Sequence, residues 1–163
     1  MSGTLKSLAG IGIVLILPGG MTAQGVVTER NLSLALAKTI AEATLAECKS
    51  KGFNTAAAVV DRAGQVLVLL RDEKATAQTL EMARRKAYTA RMFRVSTLEF
   101  QKRTADPTLA AQRDVSEILA LGGGMPIQVG TETIGGVGSS GSSQETDDAC
   151  ARAGIAKVAD LLH

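Results

Sequence analysis

Aromatic side chains are scarce in this chain of 163 residues. They make up 2% of the sequence, with no tryptophan, one tyrosine and three phenylalanines. The hydrophobic core must therefore be built from alanine, valine, leucine and isoleucine, which suits close packing of helices on a sheet. Proteins that bind single-stranded nucleic acid stack the bases on aromatic rings. The shortage of rings argues against that class of function.

An excess of charge of one sign is lacking as well. Eighteen basic and sixteen acidic side chains give a formal net charge of +2, so we expect no field that attracts nucleic acid. The only histidine is His163, which leaves no internal Ser-His-Asp triad. Without a cluster of histidines or cysteines, we expect no metal site. These patterns predict no catalytic residue.

The N-terminal residues differ from the rest of the chain. Lys6 precedes the apolar run 8–17, and small residues lead to Ala23. This is the pattern of a secretory signal peptide, and we predict that residues 1–23 are removed by cleavage after Ala23. The run is too short for a transmembrane helix, which needs about 20 residues. We therefore expect a single mature domain, residues 24–163, in the periplasm or outside the cell and free of the membrane.

If the protein is exported, its two cysteines can form a disulfide. Cys48 and Cys150 lie near opposite ends of the predicted mature domain, and an oxidising compartment permits them to form a disulfide. Pairing requires that the helices carrying them are neighbours. Buried free thiols are the alternative interpretation.

The apolar pattern predicts three long helices and two hairpins. The helices run from a cap at Thr28 or Asn31 to Lys51, from Thr79 to Arg94, and from a cap at Ser142 or Ser143 to Leu162. The strands are Thr55–Val60 with Gln65–Arg71 and Met125–Val129 with Thr133–Val137, and a brief strand is expected at Ile118–Leu121. The strands occur as hairpins and not as strand–helix–strand units. This order favours an α+β fold with an antiparallel sheet flanked by helices. The strand Gln65–Arg71 is so apolar that we expect cover on both its faces.

A stretch rich in glycine and serine, residues 135–143, precedes the last helix. Backbone N–H groups of such a stretch form an anion cradle in some proteins. The favoured interpretation is a strand whose bare backbone allows a helix to pack closely on Gly135, Gly136 and Gly138.

Five segments in succession resemble the GlcG/HbpS family, also called the haem-degrading domain family. They are residues 58–64 (Ala-Val-Val-Asp-Arg-Ala-Gly), 83–90, 122–127, 134–141 and 147–154. The resemblance extends from about Leu34 to the C-terminus. It implies a profilin-like fold, with a central antiparallel sheet and helices on both faces, and a homo-oligomer. It also implies haem binding, to which relatives add haem breakdown or redox sensing.

A haem ligand requires residues that reach the iron. Histidine, methionine, cysteine and tyrosine are the usual ligands of haem iron, and this chain has no internal histidine. Tyr88, inside the matched helix, is the first candidate, although ordinary helix packing is the alternative. Met82 or Met92, a hydroxyl, a water or a residue of a neighbouring subunit are the others, and each methionine also suits a core position.

Other residues are candidates for binding the acidic groups of a ligand. Lys86 either pairs with a ligand carboxylate or bonds carbonyls at the sheet edge. Arg71 binds a propionate with its guanidinium fork, pairs with Asp72 or Glu73, or is simply exposed. The further predicted site residues, which line the pocket or shape its turns, are Thr89, Gly123 and Gly124.

Three functions follow, in order of preference. The first is an exported protein that binds haem or a related tetrapyrrole for storage, shielding or sensing. The second is an enzyme or accessory protein of hydroxy-acid or oxo-acid oxidation, with the acid held by Arg71 and Lys86. The third is a partner-binding module without a small ligand.

Overall fold

The computed structural model describes Gly25 and residues 27–163. The predicted signal peptide, residues 1–23, lies outside the described residues. Helices and strands follow in the order α1 (Leu34–Ser50), β1 (Ala56–Val60), β2 (Val66–Arg71), α2 (Gln78–Phe93), α3 (Thr97–Arg103), β3 (Gly124–Val129), β4 (Glu132–Ser140) and α4 (Gln144–Ala156). Short 3₁₀ helices lie at Ala110–Asp114 and Ala159–Leu161.

The four strands form one antiparallel sheet in the order β2-β1-β4-β3. Successive residues of a strand point to opposite faces of the sheet, so alternate residues of β1 contact different helices. Ala57 and Val59 belong to the core cluster that includes residues of α1 and α4, whereas Ala58 packs with Ala83 and Ala87 of α2. Helices therefore cover both faces, and the predicted α+β, profilin-like architecture is confirmed.

The first helix begins later than predicted. Neither Thr28 nor Asn31 caps it, because the chain stays extended until Leu32 is buried in the core. Ser33 is the cap, and its hydroxyl accepts a hydrogen bond from the amide of Leu36. Asn31 instead accepts hydrogen bonds from the amides of Leu32 and Arg62, which ties the N-terminal arm to the first hairpin.

The prediction that β2 is covered on both faces is wrong within the single chain. Val66 is 43% exposed and Leu69 is 39% exposed. The reason is topological: β2 lies at the edge of the sheet, and α2 packs mainly over β4 and β1.

Bare backbone in β4 allows α2 to approach closely. A Cβ atom added to Gly138 would lie 2.1 Å from the Ala83 carbonyl oxygen, and one added to Gly136 would lie 2.3 Å from that of Ala87. Both glycines are inside the strand, so the interpretation of close helix packing is confirmed for these two. It is wrong for Gly135, where a Cβ atom would lie 2.6 Å from the Val60 carbonyl oxygen of the neighbouring strand. Residues 135–140 belong to β4. They therefore do not form a glycine-rich loop whose N–H groups could bind an anion.

Residues 118–121 do not form the predicted strand. Side chains of α2 hold this segment instead, because Arg85 donates to the carbonyl of Ile118 and the Leu119 amide donates to the hydroxyl of Thr89. The last helix also ends sooner than expected, at Ala156. Its cap is Ser143, one of the two predicted residues.

A disulfide joins Cys48 of α1 to Cys150 of α4, and their Cα atoms are 5.5 Å apart. The two helices pack on the same face of the sheet, which meets the condition set from the sequence. The alternative of two free thiols is therefore excluded for this structure.

Candidate functional site

The predicted site residues of α2 point in two directions. Met82 and Lys86 are four residues apart and therefore share one side of the helix. They line a cleft against the start of α4. Tyr88 and Met92 share another side and contact Gly64 in the β1–β2 turn. The sequence places Lys86 and Tyr88 in one groove, and the structure does not, because two residues of separation turn a helix by more than half a circle.

Lys86 forms a buried ion pair. Its Nζ atom donates to Asp147 Oδ2 at 2.9 Å and to the Ser139 carbonyl oxygen at 2.9 Å. The two charged side chains are 1% and 2% exposed. Burial lowers the pKa of Lys86, and the Asp147 carboxylate offsets part of that effect. Of the two predicted roles, this geometry is that of a structural lysine, since both partners belong to the protein.

Gly123 and Gly124 pack against this pair, and Thr89 holds a neighbouring segment of the chain. A Cβ atom at Gly123 would lie 2.7 Å from Asp147 Cβ and 3.0 Å from Lys86 Nζ, and one at Gly124 would lie 2.3 Å from the Lys86 carbonyl oxygen. The Thr89 hydroxyl is engaged with the Arg85 carbonyl and the Leu119 amide. These three residues shape the packing around α2.

The cleft above Lys86 has a volume of about 530 Å³, which is the size of a small-molecule site. Its charged lining residues are Lys86, Glu145 and Asp147, so acidic groups outnumber basic ones by one. Such a cleft does not favour an acidic ligand, and Lys86 would have to leave Asp147 to bind one.

Arg71 is also engaged within the protein. Its guanidinium donates to the carbonyl oxygens of Ala75 and Asp72. The expected alternative, a salt bridge to Asp72 or Glu73, does not form, because the Asp72 carboxylate pairs with Lys49 at 2.7 Å. Arg71 is nevertheless exposed, whereas Lys86, the other member of the cationic pair proposed for oxidation of small acids, is buried and paired with Asp147.

A second cleft lies at the other end of α2, and we call it the arginine cleft. It has a volume of about 570 Å³ and is lined by Arg62, Arg91, Met92, Arg94, Thr131, Glu132 and Thr133. Three guanidinium groups face one carboxylate, which leaves an excess of two positive charges. The three arginines come from the β1–β2 turn and from the C-terminal end of α2.

Only one of these arginines is neutralised by ion pairs among the described residues. Arg62 pairs with Glu132 and also with Glu29, at 3.1 Å from Nε to Oε2. Arg91 and Arg94 form no salt bridge within the described part of the chain. The Arg91 Nε atom is buried and has no hydrogen-bond partner there. Burial lowers the pKa of Arg91, and the charges of Arg62 and Arg94 lower it further, while the carboxylates of Asp61 and Glu29 offset part of the effect.

Tyr88 and Met92 meet the first hairpin beside this cleft. Gly64 has a φ of +84°, and a Cβ atom there would lie 2.5 Å from Met92 Cε and 2.8 Å from Tyr88 Cε2. The bare turn therefore allows both side chains to pack on it. The sequence indicates both residues as candidates for haem iron, but no motif in it points to the arginines that line the cleft with Met92.

The described residues include neither a membrane-spanning helix nor a cluster of metal ligands. No helix among them has the length and apolar character that a membrane crossing requires. No group of three or more histidine, cysteine or acidic residues in this part of the chain is arranged to hold a metal ion.

Comparison with known proteins gives consistent matches. Residues 32–156 match the family described as haem degrading protein HbpS-like. A 15.0 kDa Citrobacter freundii protein, described as uncharacterized and encoded in the dhaT-dhaS intergenic region, is 31% identical over 126 residues, which cover 71% of this chain and 84% of that protein. The crystal structure of a double mutant of HbpS from Streptomyces reticuli is 33% identical, with a TM-score of 0.79 and coverage of 86% and 95%. That of a PduOC–haem complex is 26% identical, with a TM-score of 0.70 and coverage of 77% and 94%.

Proposed function

Because the chain belongs to the HbpS-like family of haem-degrading proteins, we propose that it binds haem or a related tetrapyrrole. The crystal structure of a structural relative, PduOC, is described as a complex with haem, which supports the proposal of a ligand of this class. The observation on this chain that carries the proposal is the position of Met92, in the wall of a cleft with an excess of two positive charges.

The residues of the arginine cleft fit the chemistry of haem. Haem presents an iron atom and two propionate carboxylates on one flat ring. The Met92 thioether and the neighbouring Tyr88 phenol are side chains that bind haem iron in other proteins. Arginine has a planar fork of donors that matches a carboxylate. Haem bound here would supply a redox-active iron, while these residues would hold and orient it.

The Lys86 cleft fits this ligand less well. The cation at its floor is already paired with Asp147 and the Ser139 carbonyl, and the cleft carries an excess of negative charge. Met82 in its wall therefore serves as the matched control for Met92.

Titration of the purified protein with haemin tests the proposal. We expect a shifted Soret band, and Met92→Leu should weaken binding by about tenfold or more or change the spectrum, since it removes a candidate iron ligand. Tyr88→Phe tests the other candidate ligand in the same way. Met82→Leu should bind haemin as the unaltered protein does.

A flat titration would refute haem binding. An equal loss in the Met82→Leu and Met92→Leu variants would refute the location in the arginine cleft. A loss confined to Met82→Leu would place the ligand above Lys86 instead.

We also propose that the protein works in the periplasm or outside the cell. Support comes from the disulfide between Cys48 and Cys150, because disulfides persist in oxidising compartments, and from the signal-peptide pattern of residues 1–23. Fractionation of the producing cell should recover a shortened chain beginning at Gln24 outside the cytoplasm. Recovery of the intact chain in the cytoplasm would contradict export. Assembly into a homo-oligomer stays a prediction.

A further inference from the structure

Among the described residues Arg91 and Arg94, at the end of α2, have no carboxylate partner, although both positions carry an energetic cost. Arg94 adopts a φ of 58° at the C-cap of α2, and its amide donates to the Ala90 carbonyl at 2.9 Å. Glycine takes this left-handed conformation without the steric penalty that a side chain brings. Strained residues of this kind cluster at functional sites.

Arg91 is costly for a different reason. Its Nε atom is buried without a hydrogen-bond partner among the described residues, and an unsatisfied buried donor carries a desolvation penalty. The guanidinium also lies near the like charges of Arg62 and Arg94, which the carboxylates of Asp61 and Glu29 offset in part. Since Arg91 and Arg94 both line the cleft, an anion bound there would relieve the repulsion that is left.

We propose that Arg91 and Arg94, with Arg62 at the rim, form a carboxylate-binding site. Bidentate hydrogen bonds between a guanidinium and a carboxylate are the chemistry of recognition. The carboxylate is either a propionate of a tetrapyrrole or belongs to a free dicarboxylic acid. The inference goes beyond the proposed function, because carboxylate recognition requires neither iron nor a ring.

Glu132 sets the strength of this site. Its carboxylate lines the cleft and pairs with Arg62, so it occupies a guanidinium that a ligand would otherwise use. Glu29 pairs with the same arginine from the N-terminal arm. Glu132 therefore acts as an internal competitor for an incoming carboxylate.

Calorimetric titration of the full purified chain with succinate, at low and moderate salt, tests the site. Arg91→Gln should weaken succinate binding by about 10- to 100-fold, because hydrogen bonds to charged groups are lost. Glu132→Gln should strengthen binding several-fold, which a merely structural role would not produce. Lys38→Gln removes the same unit of charge from an exposed position on α1 and should leave the affinity unchanged.

Arg94→Gly separates binding from stability. The substitution places glycine in the left-handed conformation, so the melting temperature should rise or stay constant while succinate binding weakens. An affinity unchanged in both Arg91→Gln and Arg94→Gly would overturn the site. A loss of affinity in Lys38→Gln equal to that in Arg91→Gln would also overturn it, since general charge would then explain binding.

Protoporphyrin IX and its dimethyl ester distinguish the two sources of the carboxylate. Preference for the free acid over the ester, abolished by Arg91→Gln, assigns the site to a tetrapyrrole. Binding of succinate without any binding of protoporphyrin or haemin assigns it to a free acid, and then the tetrapyrrole proposal fails while the carboxylate site stands. If haemin binds with an affinity that neither Arg91→Gln nor esterification of its propionates changes, the carboxylate site is refuted and the proposal of haem binding stands.

Discussion

Replacing both Cys48 and Cys150 by alanine is expected to lower the free energy of unfolding by about 4 to 5 kcal/mol. The two residues are 102 positions apart, so the disulfide closes a long loop and restricts the unfolded chain. In the loop-entropy model a closed loop of roughly 100 residues corresponds to about 4.7 kcal/mol. Both side chains are fully buried, and a small cavity adds to the loss. Urea denaturation of the two proteins measures the difference.

The reductant provides the matched control for this effect. Reduction of the unaltered protein should reproduce most of the loss, whereas the double alanine variant should respond little to reductant. Equal unfolding midpoints for the oxidised protein and the double variant would contradict a stabilising disulfide between α1 and α4.

Lys86→Met is expected to destabilise the protein by about 3 to 5 kcal/mol. The substitution keeps most of the length of the side chain and leaves the Asp147 carboxylate buried without its cation. Breaking one side of a buried pair has costs of this order. The pair also connects α2 to the last residues of β4 and to the start of α4. Denaturant unfolding gives the magnitude.

A double variant distinguishes an ion pair from mere packing. Lys86→Met combined with Asp147→Asn removes both charges and keeps an acceptor for the amide and hydroxyl of Ser142, so the stability should recover in large part. Lys49→Met, which breaks the exposed pair with Asp72, should have only a small effect. A double variant no more stable than Lys86→Met alone would show that the buried charge of Asp147 is not the cause.

Local patterns predicted most of the fold. Helical spacing of small apolar residues placed α2 to within one residue at each end, because the periodicity of a helix packed along its whole length is regular. The exposure of β2 depends on where α2 lies across the sheet. The position of α2 is set by tertiary contacts, which cannot be predicted from the apolar run Val66–Leu70. Ser33 caps α1 for a similar reason, since the burial of Leu32 fixes where the chain turns.

The site was predicted less well, because its parts are distant in sequence. Lys86 was recognised as important, yet its partner Asp147 is 61 residues away, and only the fold shows that the pair is satisfied. Arg62 and Glu132 are 70 residues apart. A local signal did exist at Arg91 and Arg94, since residues three apart share a face of a helix. Arg94, however, is the C-cap of α2 and has a left-handed backbone conformation, which the sequence does not predict for an arginine.

We propose that an acidic planar ligand binds at the C-terminal end of α2, beside the β1–β2 hairpin, and not above Lys86. A crystal structure of the protein with gallium protoporphyrin, an analogue of haem, shows which of the two clefts holds the ring. We expect the ring beside Met92, with propionate density within hydrogen-bond distance of Arg91 or Arg94. A ring seated between Met82 and the start of α4, with Lys86 released from Asp147, would contradict the claim.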